Sequence, residues 1–347
     1  MRAPYRSAQR LTTTAHNVLV TLHLDDGTTG YGESAPAHYV TGETQESVQV
    51  LAQRAGARLV GQTPEAAARD LLADRLLDNS PGARGALEIA LADAEARAVG
   101  LPLFRFLGAP AGTVPRRATD LSLPILSPDE AFRRAAQAEV DGYRVLKIKV
   151  GSGDTAEDRV RVKAVAEGAP SASLRLDGNQ GFSAEAAVRF VDELGDLAAR
   201  VALLEQPTPA GDDDALRLVA ARVPCPVYAD EAVKTPGDAR RLVSSRACAG
   251  VVLKLAKSGL SGTRAIAHAV GEAGGCCLFG CMMETRIGIG GALHLALALG
   301  PILVPDLDLD GHLLVNDTAL VNGNGLRQER DTLVADGSMA GLGLTTH

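Results

Sequence analysis

Lysine is scarce in this 347-residue chain, six residues against twenty-nine arginines, and tryptophan is missing altogether. Aromatic residues amount to 3%, and the formal net charge is −7. A chain with neither a basic stripe nor aromatic faces for stacking is excluded from the nucleic-acid binders. It also has no run of about 18 apolar residues and no charged-then-apolar leader, so no membrane span is expected and a cytoplasmic location is. The five cysteines, Cys225, Cys248, Cys276, Cys277 and Cys281, lack the paired spacing of a zinc site and are expected as buried, reduced thiols. No long linker, charge block or low-complexity segment interrupts the chain, and 46% apolar residues suffice for the cores of two domains.

Four of the six lysines occupy two places, Lys147 and Lys149 in VLKIKVG and Lys254 and Lys257 in VVLKLAKSG. Guanidinium stays protonated, whereas a buried ammonium can lose its proton and act as a base, so lysine is kept where arginine cannot serve. Between the two places lie three carboxylates at the ends of apolar runs: Asp177 in LRLDGNQG, Glu205 in ALLEQP and Asp230 in PVYADE.

The spacing supplies an architecture. Lys149, Asp177, Glu205, Asp230, Lys254, Glu284 and Asp308 are separated by 28, 28, 25, 24, 30 and 24 positions, and each interval holds a β-rich run followed by an amphipathic helical stretch. With RATDLSLPIL before them and ILVPDLDL after, about eight strands alternate with helices, which predicts an α/β fold of (β/α)-barrel, TIM type. Residues at the C-terminal ends of its strands converge on one mouth. Before the barrel, NVLVTLHLDDGTTGYGES predicts a hairpin around Asp-Gly, and helices are expected near 44–60, 64–78 and 82–99. The expected domains are an α+β capping domain over 1–113, the catalytic barrel over 114–312, and a segment over 313–347 that returns to the capping domain.

Taken singly, a lysine pair at a strand end ordinarily meets solvent, and an acid after a strand ordinarily caps a helix. Three acids ending consecutive strands are different, because their charges would crowd one mouth unless a divalent cation neutralised them. Oxygen donors without nearby Cys or His point to Mg²⁺ or Mn²⁺. A cation flanked by two lysines suits removal of a proton α to a carboxylate or carbonyl by one lysine, with return to the opposite face by the other. Lys147, next but one to Lys149, adds a like charge that favours the neutral base. Lys257 is expected in the following loop, in contact with solvent.

The motifs KIKV, LDGNQG, LLEQP, YADE, LKLAKSG and CMMET, in this order and with GYGESAP and VTGET before them, resemble the enolase superfamily in its muconate-lactonizing-enzyme subgroup. The resemblance covers nearly the whole chain and implies that Asp177, Glu205 and Asp230 are Mg²⁺ ligands and that Lys149 and Lys254 are the acid/base pair, assisted by Lys147. Asn179 and Glu231 would support the ligands, and Glu284 would stand at the substrate mouth. In VPDLDLDGHLL the resemblance is to dipeptide epimerases, whose Asp-x-Asp holds a substrate's α-ammonium group; the following glycine favours Asp308 and Asp310 over Asp306. His312 replaces the proline common there. Arg10 falls where L-Ala-D/L-Glu epimerases place an arginine for the glutamate side chain, the other reading being an ordinary surface arginine. Against that family the chain is expected to lack much of the first capping strand. The implied activity is epimerisation of a dipeptide by a homo-oligomeric isomerase, with an N-acylamino acid racemase, a cycloisomerase or a non-catalytic binding barrel as alternatives.

Overall fold

The computed structural model describes residues 1–347. Two short strands, β1 (Tyr5–Arg6) and β2 (Leu11–Thr12), pair antiparallel, and the expected hairpin follows as β3 (Val18–His23) and β4 (Thr29–Ser34). Its turn includes Gly27 at φ +86°, a conformation that glycine reaches without strain. Helices Gln45–Leu59, Pro64–Ala73 and Pro81–Ala98 come next. Thr44 and Thr63 cap the first two, and Pro64 and Pro81 open the last two, where a missing N–H costs nothing. The last helix is buried nearly all round because β4 lies directly on it. A Cβ on Gly30 would fall 2.0 Å from the Ala90 carbonyl oxygen, and one on Gly32 2.0 Å from that of Ala86, so the glycines of GYG are what allow strand and helix backbones to meet.

After β5 (Arg116–Ala118) the barrel strands run β6 (Leu121–Leu123), β7 (Val145–Lys149), β8 (Ser173–Asp177), β9 (Val201–Glu205), β10 (Val227–Ala229), β11 (Gly250–Leu253) and β12 (Cys276–Phe279). β6 to β12 form one parallel sheet in sequence order. The expected eighth strand is an extended segment with isolated parallel bridges: Leu303 and Asp308 pair with Cys277 and Gly280 on one side, and Leu307 with Thr119 on the other. Pro305 within it has no N–H to donate, which keeps the ladder discontinuous. RATDLSL, expected as one strand, divides at Thr119 and Asp120. Its first half pairs antiparallel with the tail, and its second half enters the barrel.

Hydroxyl or carboxylate side chains of Ser127, Asp154, Ser183, Asp212, Thr235 and Thr285 cap the helices that follow six of the strands, fixing where each loop at the mouth ends. The main core, 66 buried residues in one cluster, fills the space between sheet and helices. Inside the ring Leu203, Tyr228, Val252 and Leu278 form a small apolar floor, above which the interior turns polar. All five cysteines are free; Cys225, Cys248 and Cys277 are buried as expected, Cys281 is half-buried, and Cys276 is exposed because it opens β12 at the end of the barrel away from the mouth. No helix is long and apolar enough to cross a membrane.

The tail adds β13 (Val321–Asn322), β14 (Leu326–Glu329), β15 (Thr332–Ala335) and β16 (Thr345–Thr346). β15 pairs with β5, and Leu342 N–H donates to Asp93 on the helix Pro81–Ala98 at 2.6 Å. That helix also docks on the barrel helix Leu255–Glu272, where Gly259 breaks the helical backbone at φ +67° and faces Gly85. Glu88 accepts from the N–H groups of Leu260 (2.7 Å) and Ser261 (3.2 Å), capping the helix where it restarts. Glu88→Ala is therefore expected to lower stability by roughly 1–2 kcal/mol, the worth of a lost cap, read as a lower urea midpoint.

Candidate active site

Alternation along β7 turns Lys147 and Lys149 inward, and the register places Lys149 beside Asp177 and Asp177 beside Glu205 at the ends of three neighbouring strands. Asp230 and Lys254 follow β10 and β11 directly. All six converge at one end of the ring. Lys147 is the central cation: its Nζ lies 3.1 Å from Asp177 Oδ2, 2.8 Å from Glu205 Oε2 and 2.8 Å from Asp308 Oδ2. Lys149 donates to Asp177, and Lys254 donates to Asp230 Oδ2 at 2.8 Å.

Burial and charge set the protonation of these groups. Against the cost of burial, Lys147 and Lys149 hold Asp177 well below the usual carboxylate range, and Lys254 and Lys257 do the same for Asp230. Glu205 goes the other way. Burial, followed by the charge of Asp177, pushes it up to about 8. Both of its carboxylate oxygens are buried without a hydrogen bond, although Lys147 pairs with one of them by charge. An orphaned carboxylate between two ionised ones is a costly arrangement in a purely protein environment and a fitting one beside a divalent cation. The oxygen-only set Asp177, Glu205 and Asp230 fits Mg²⁺ on that ground. A second acidic trio, Asp120, Asp308 and Asp310, brings carboxylate oxygens within 4.8 Å of one another. Its charges are answered by the protein: Arg175 pairs with Asp120 at 2.7 Å, Lys147 with Asp308, and Ser122 N–H donates to Asp310 at 2.6 Å. Asp120 Oδ1 alone is left without a hydrogen bond there, against both oxygens of Glu205 in the first trio, which is the better cation site on that ground.

The mouth opens into a cavity of about 320 Å³ lined by Lys147, Lys149, Lys254, Asp230, Asp308 and Asp310, among others. Asp177 and Glu205 lie beneath it, fully buried. Its roof is the N-terminal segment, held by Ile125 N–H to the Arg6 carbonyl (2.8 Å) and by Gln9 Nε2 to the Asn179 carbonyl (2.7 Å). Tyr5 and Arg10 line the cavity from this roof, and Arg10 sits at the exposed rim with its guanidinium 5.1 Å from the centre of the Tyr39 ring. Asn179 N–H donates to Asp177 Oδ1 at 3.0 Å and Asn179 Nδ2 to Glu231 at 3.3 Å. Burial and the charge of Asp230 push Glu231 up to about 7.

Glu284 is placed differently from an open mouth residue. It is buried and outside the cavity lining, its carboxylate turned to the Met282 N–H at 3.2 Å, and burial with neighbouring Glu33 pushes it up to about 8. Asp306 faces away from the mouth, 3.6 Å from Arg144. His312 is buried in the short helix Gly311–Leu314, and burial pushes it down to about 4. The expectation for Lys257 is corrected: it is buried, with Nζ donating to Asp230 Oδ1 and to two main-chain carbonyls. The cause is the helix break at Gly259, which makes residues 255–258 a separate turn folded back under the mouth.

Two residues beyond the expected set shape the site. Gln206, at φ +31° after β9, accepts from Asp230 N–H at 2.8 Å and Ala232 N–H at 3.1 Å, joining neighbouring strand ends. Glu33 of the GYGES hairpin accepts from Thr285 N–H (3.0 Å) and Gly288 N–H (2.8 Å) and from Asn17 Nδ2 (2.6 Å). It thereby caps the helix Arg286–Leu299 and binds the N-terminal domain to the barrel. The glycine pattern of that hairpin signals close backbone approach, but nothing local in the sequence signals a partner 252 residues away.

Comparison with known proteins matches this geometry. Residues 130–347 match the family described as enolase C-terminal domain-like, and residues 1–108 the mandelate racemase / muconate lactonizing enzyme N-terminal domain. A hydrophobic dipeptide epimerase of Citrifermentans bemidjiense is 37% identical over 89% of this chain and 86% of its own length. The substrate-liganded L-Ala-D/L-Glu epimerase of Bacillus subtilis superposes with a TM-score of 0.91 at 31% identity, over 99% of this chain and 95% of that one. The dipeptide epimerase of Enterococcus faecalis, complexed with Mg and L-Leu-L-Tyr, superposes at 0.90 with 30% identity, over 100% and 96%. The chain belongs to the enolase superfamily, with the N-terminal domain of its mandelate racemase / muconate lactonizing enzyme group.

Proposed function

We propose that this chain is a Mg²⁺-dependent dipeptide epimerase that inverts an α-carbon by moving a proton between Lys149 and Lys254. The observation that carries the reading is their placement. Four strand positions separate β7 from β11 in an eight-membered ring, so the two ammonium groups face one another across a cavity floored by carboxylates. Asp177, Glu205 and Asp230 would hold the cation, with Asn179 and Glu231 fixing their orientation. Bound there, Mg²⁺ supplies positive charge for the substrate carboxylate and for the negative charge that builds on it as the α-proton leaves. Lys149 takes the proton from one face and Lys254 returns one to the other, or the reverse. Burial and the charge of Lys147 both favour a neutral Lys149, but the charge of Asp177, with those of Tyr5 and Glu205, outweighs them and holds the ammonium above the ordinary lysine range.

The substrate's amino end is assigned to Asp308 and Asp310. Both line the cavity on the Lys147 side, and Asp310 has only Ser122 as a donor, leaving capacity for an ammonium group. The likeness to epimerases of dipeptides supports this end assignment. For the second residue, Arg10 is the one arginine among the lining side chains, and a guanidinium suits a carboxylate, which favours L-Ala-D/L-Glu.

Asp310→Asn tests the assignment more cleanly than Asp308→Asn, because Asp308 also pairs with Lys147. Loss of a charge-assisted hydrogen bond is expected to cut kcat/KM for L-Ala-L-Glu by roughly tenfold to a hundredfold, while Mg²⁺ affinity stays near the wild-type value. N-acetyl-L-Ala-L-Glu should turn over poorly with the wild type. A preference for the acetylated compound, together with tolerance of Asp310→Asn, would put N-acylamino acid racemisation in place of dipeptide epimerisation.

A further inference from the structure

Lys257 is the one lysine near the mouth for which proton transfer leaves no task. It is 2% exposed and absent from the cavity lining. Its Nζ donates to Asp230 Oδ1 at 2.6 Å, to the Asp230 carbonyl at 2.6 Å and to the Val252 carbonyl at 2.9 Å. These three bonds use every donor of an ammonium group, so none is left for a substrate. What they hold is specific: one oxygen and the main chain of Asp230, together with β11, the strand that leads into Lys254. Lys254 takes the opposite oxygen, Asp230 Oδ2, and Gln206 takes the Asp230 N–H. Asp230 is thus anchored at its backbone N–H, its carbonyl and both carboxylate oxygens.

We propose that Lys257 is a positioning residue that fixes the Asp230 rotamer and the spacing between β10 and β11, so that one carboxylate serves both the cation and Lys254. The inference rests on the reading of Asp230 as a Mg²⁺ ligand. It also accounts for a lysine in a chain that otherwise uses arginine. A point donor at the end of a flexible stem can reach three convergent oxygens in this small buried space, which a planar guanidinium fork cannot. The break at Gly259 is part of the device, since an uninterrupted helix from residue 255 would not return this side chain beneath the mouth.

The test is calorimetric titration of MgCl₂ into the full chain, stripped of divalent ions, for wild type, Lys257→Met, Asp230→Asn and the double variant. The exposed Lys163→Met serves as control. Lys257→Met is expected to weaken Mg²⁺ binding by about tenfold or more, as loss of a group that orients a ligand does. The Mg²⁺ concentration for half-maximal turnover should rise by the same factor, and Lys163→Met should change neither. In the Asp230→Asn background the Lys257 substitution should add no more than about twofold, because the group it positions is already altered. The double variant keeps the question open to measurement if Lys257→Met alone fails to fold, since it removes both members of the buried pair. Binding by Lys257→Met within about twofold of wild type, or fully additive losses in the double variant, overturns the positioning role and leaves the proposed activity standing. A wild type that binds no Mg²⁺ at all overturns the ligand assignment and this inference with it.

Discussion

Lys149→Ala and Lys254→Ala are each expected to abolish epimerisation, a loss of at least the ~10²–10⁴ that a positioned acid or base contributes. The expectation follows from geometry. The two lysines stand four strand positions apart in the ring and each pairs with a different carboxylate, Asp177 or Asp230, so neither can reach the face that the other serves. Both positions border the cavity, and each lysine also pairs with a buried carboxylate, so truncation is expected to lower thermal stability as well. The loss of activity should therefore be read as kcat at a temperature where each variant is folded. Chiral chromatography of the product dipeptide gives the rate directly, and epimerisation at the wild-type rate by either variant would remove the two-base mechanism.

Removal of divalent cations by a chelator is expected to stop turnover, and added Mg²⁺ or Mn²⁺ to restore it. Glu205→Gln should weaken Mg²⁺ binding by roughly tenfold to a hundredfold or more, since it replaces an anionic oxygen donor by a neutral one of the same shape. Glu205 is the sharpest position for this substitution because its two oxygens are buried and accept no hydrogen bond. The substitution also removes the negative charge that now pairs with the Lys147 ammonium at 2.8 Å. Calorimetric titration with MgCl₂ measures the change. Full activity in the chelated protein would contradict the cation's role.

How much of this was legible in the chain depended on how far each signal reached. Lys149, Asp177, Glu205, Asp230 and Lys254 stand out because a strand end followed by a helical stretch recurs at each of them, and a barrel brings such ends together whatever their separation in sequence. Lys257 reads as a loop residue because it lies three positions beyond Lys254 and before the helical stretch that starts at Gly259, whereas residues 255–258 form a helical turn of their own, ended by the break at Gly259, and the Lys257 side chain is buried there. Asp120 does not stand out in the sequence because RATDLSL reads as one strand, while the chain bends there between two sheets and leaves Asp120 paired with Arg175 inside the ring. Glu33 and Glu88 cap helices 252 and 172 residues away, and a carboxylate's choice of so distant a partner is set by tertiary packing that periodicity does not encode. Pro305 was visible throughout, and its missing donor is the reason the last barrel segment makes isolated bridges.

The central claim is that two lysines address opposite faces of one α-carbon, and exchange of the α-proton in D₂O tests it most directly. L-Ala-L-Glu and L-Ala-D-Glu would each be incubated with Lys149→Ala and Lys254→Ala in Mg²⁺-containing D₂O, and the α-proton signal followed by NMR. The account predicts a complementary pattern: each variant exchanges the α-proton of one epimer without forming the other, and the two variants act on different epimers. Exchange of both epimers by one variant and neither by the other, or of the same epimer by both, would contradict it.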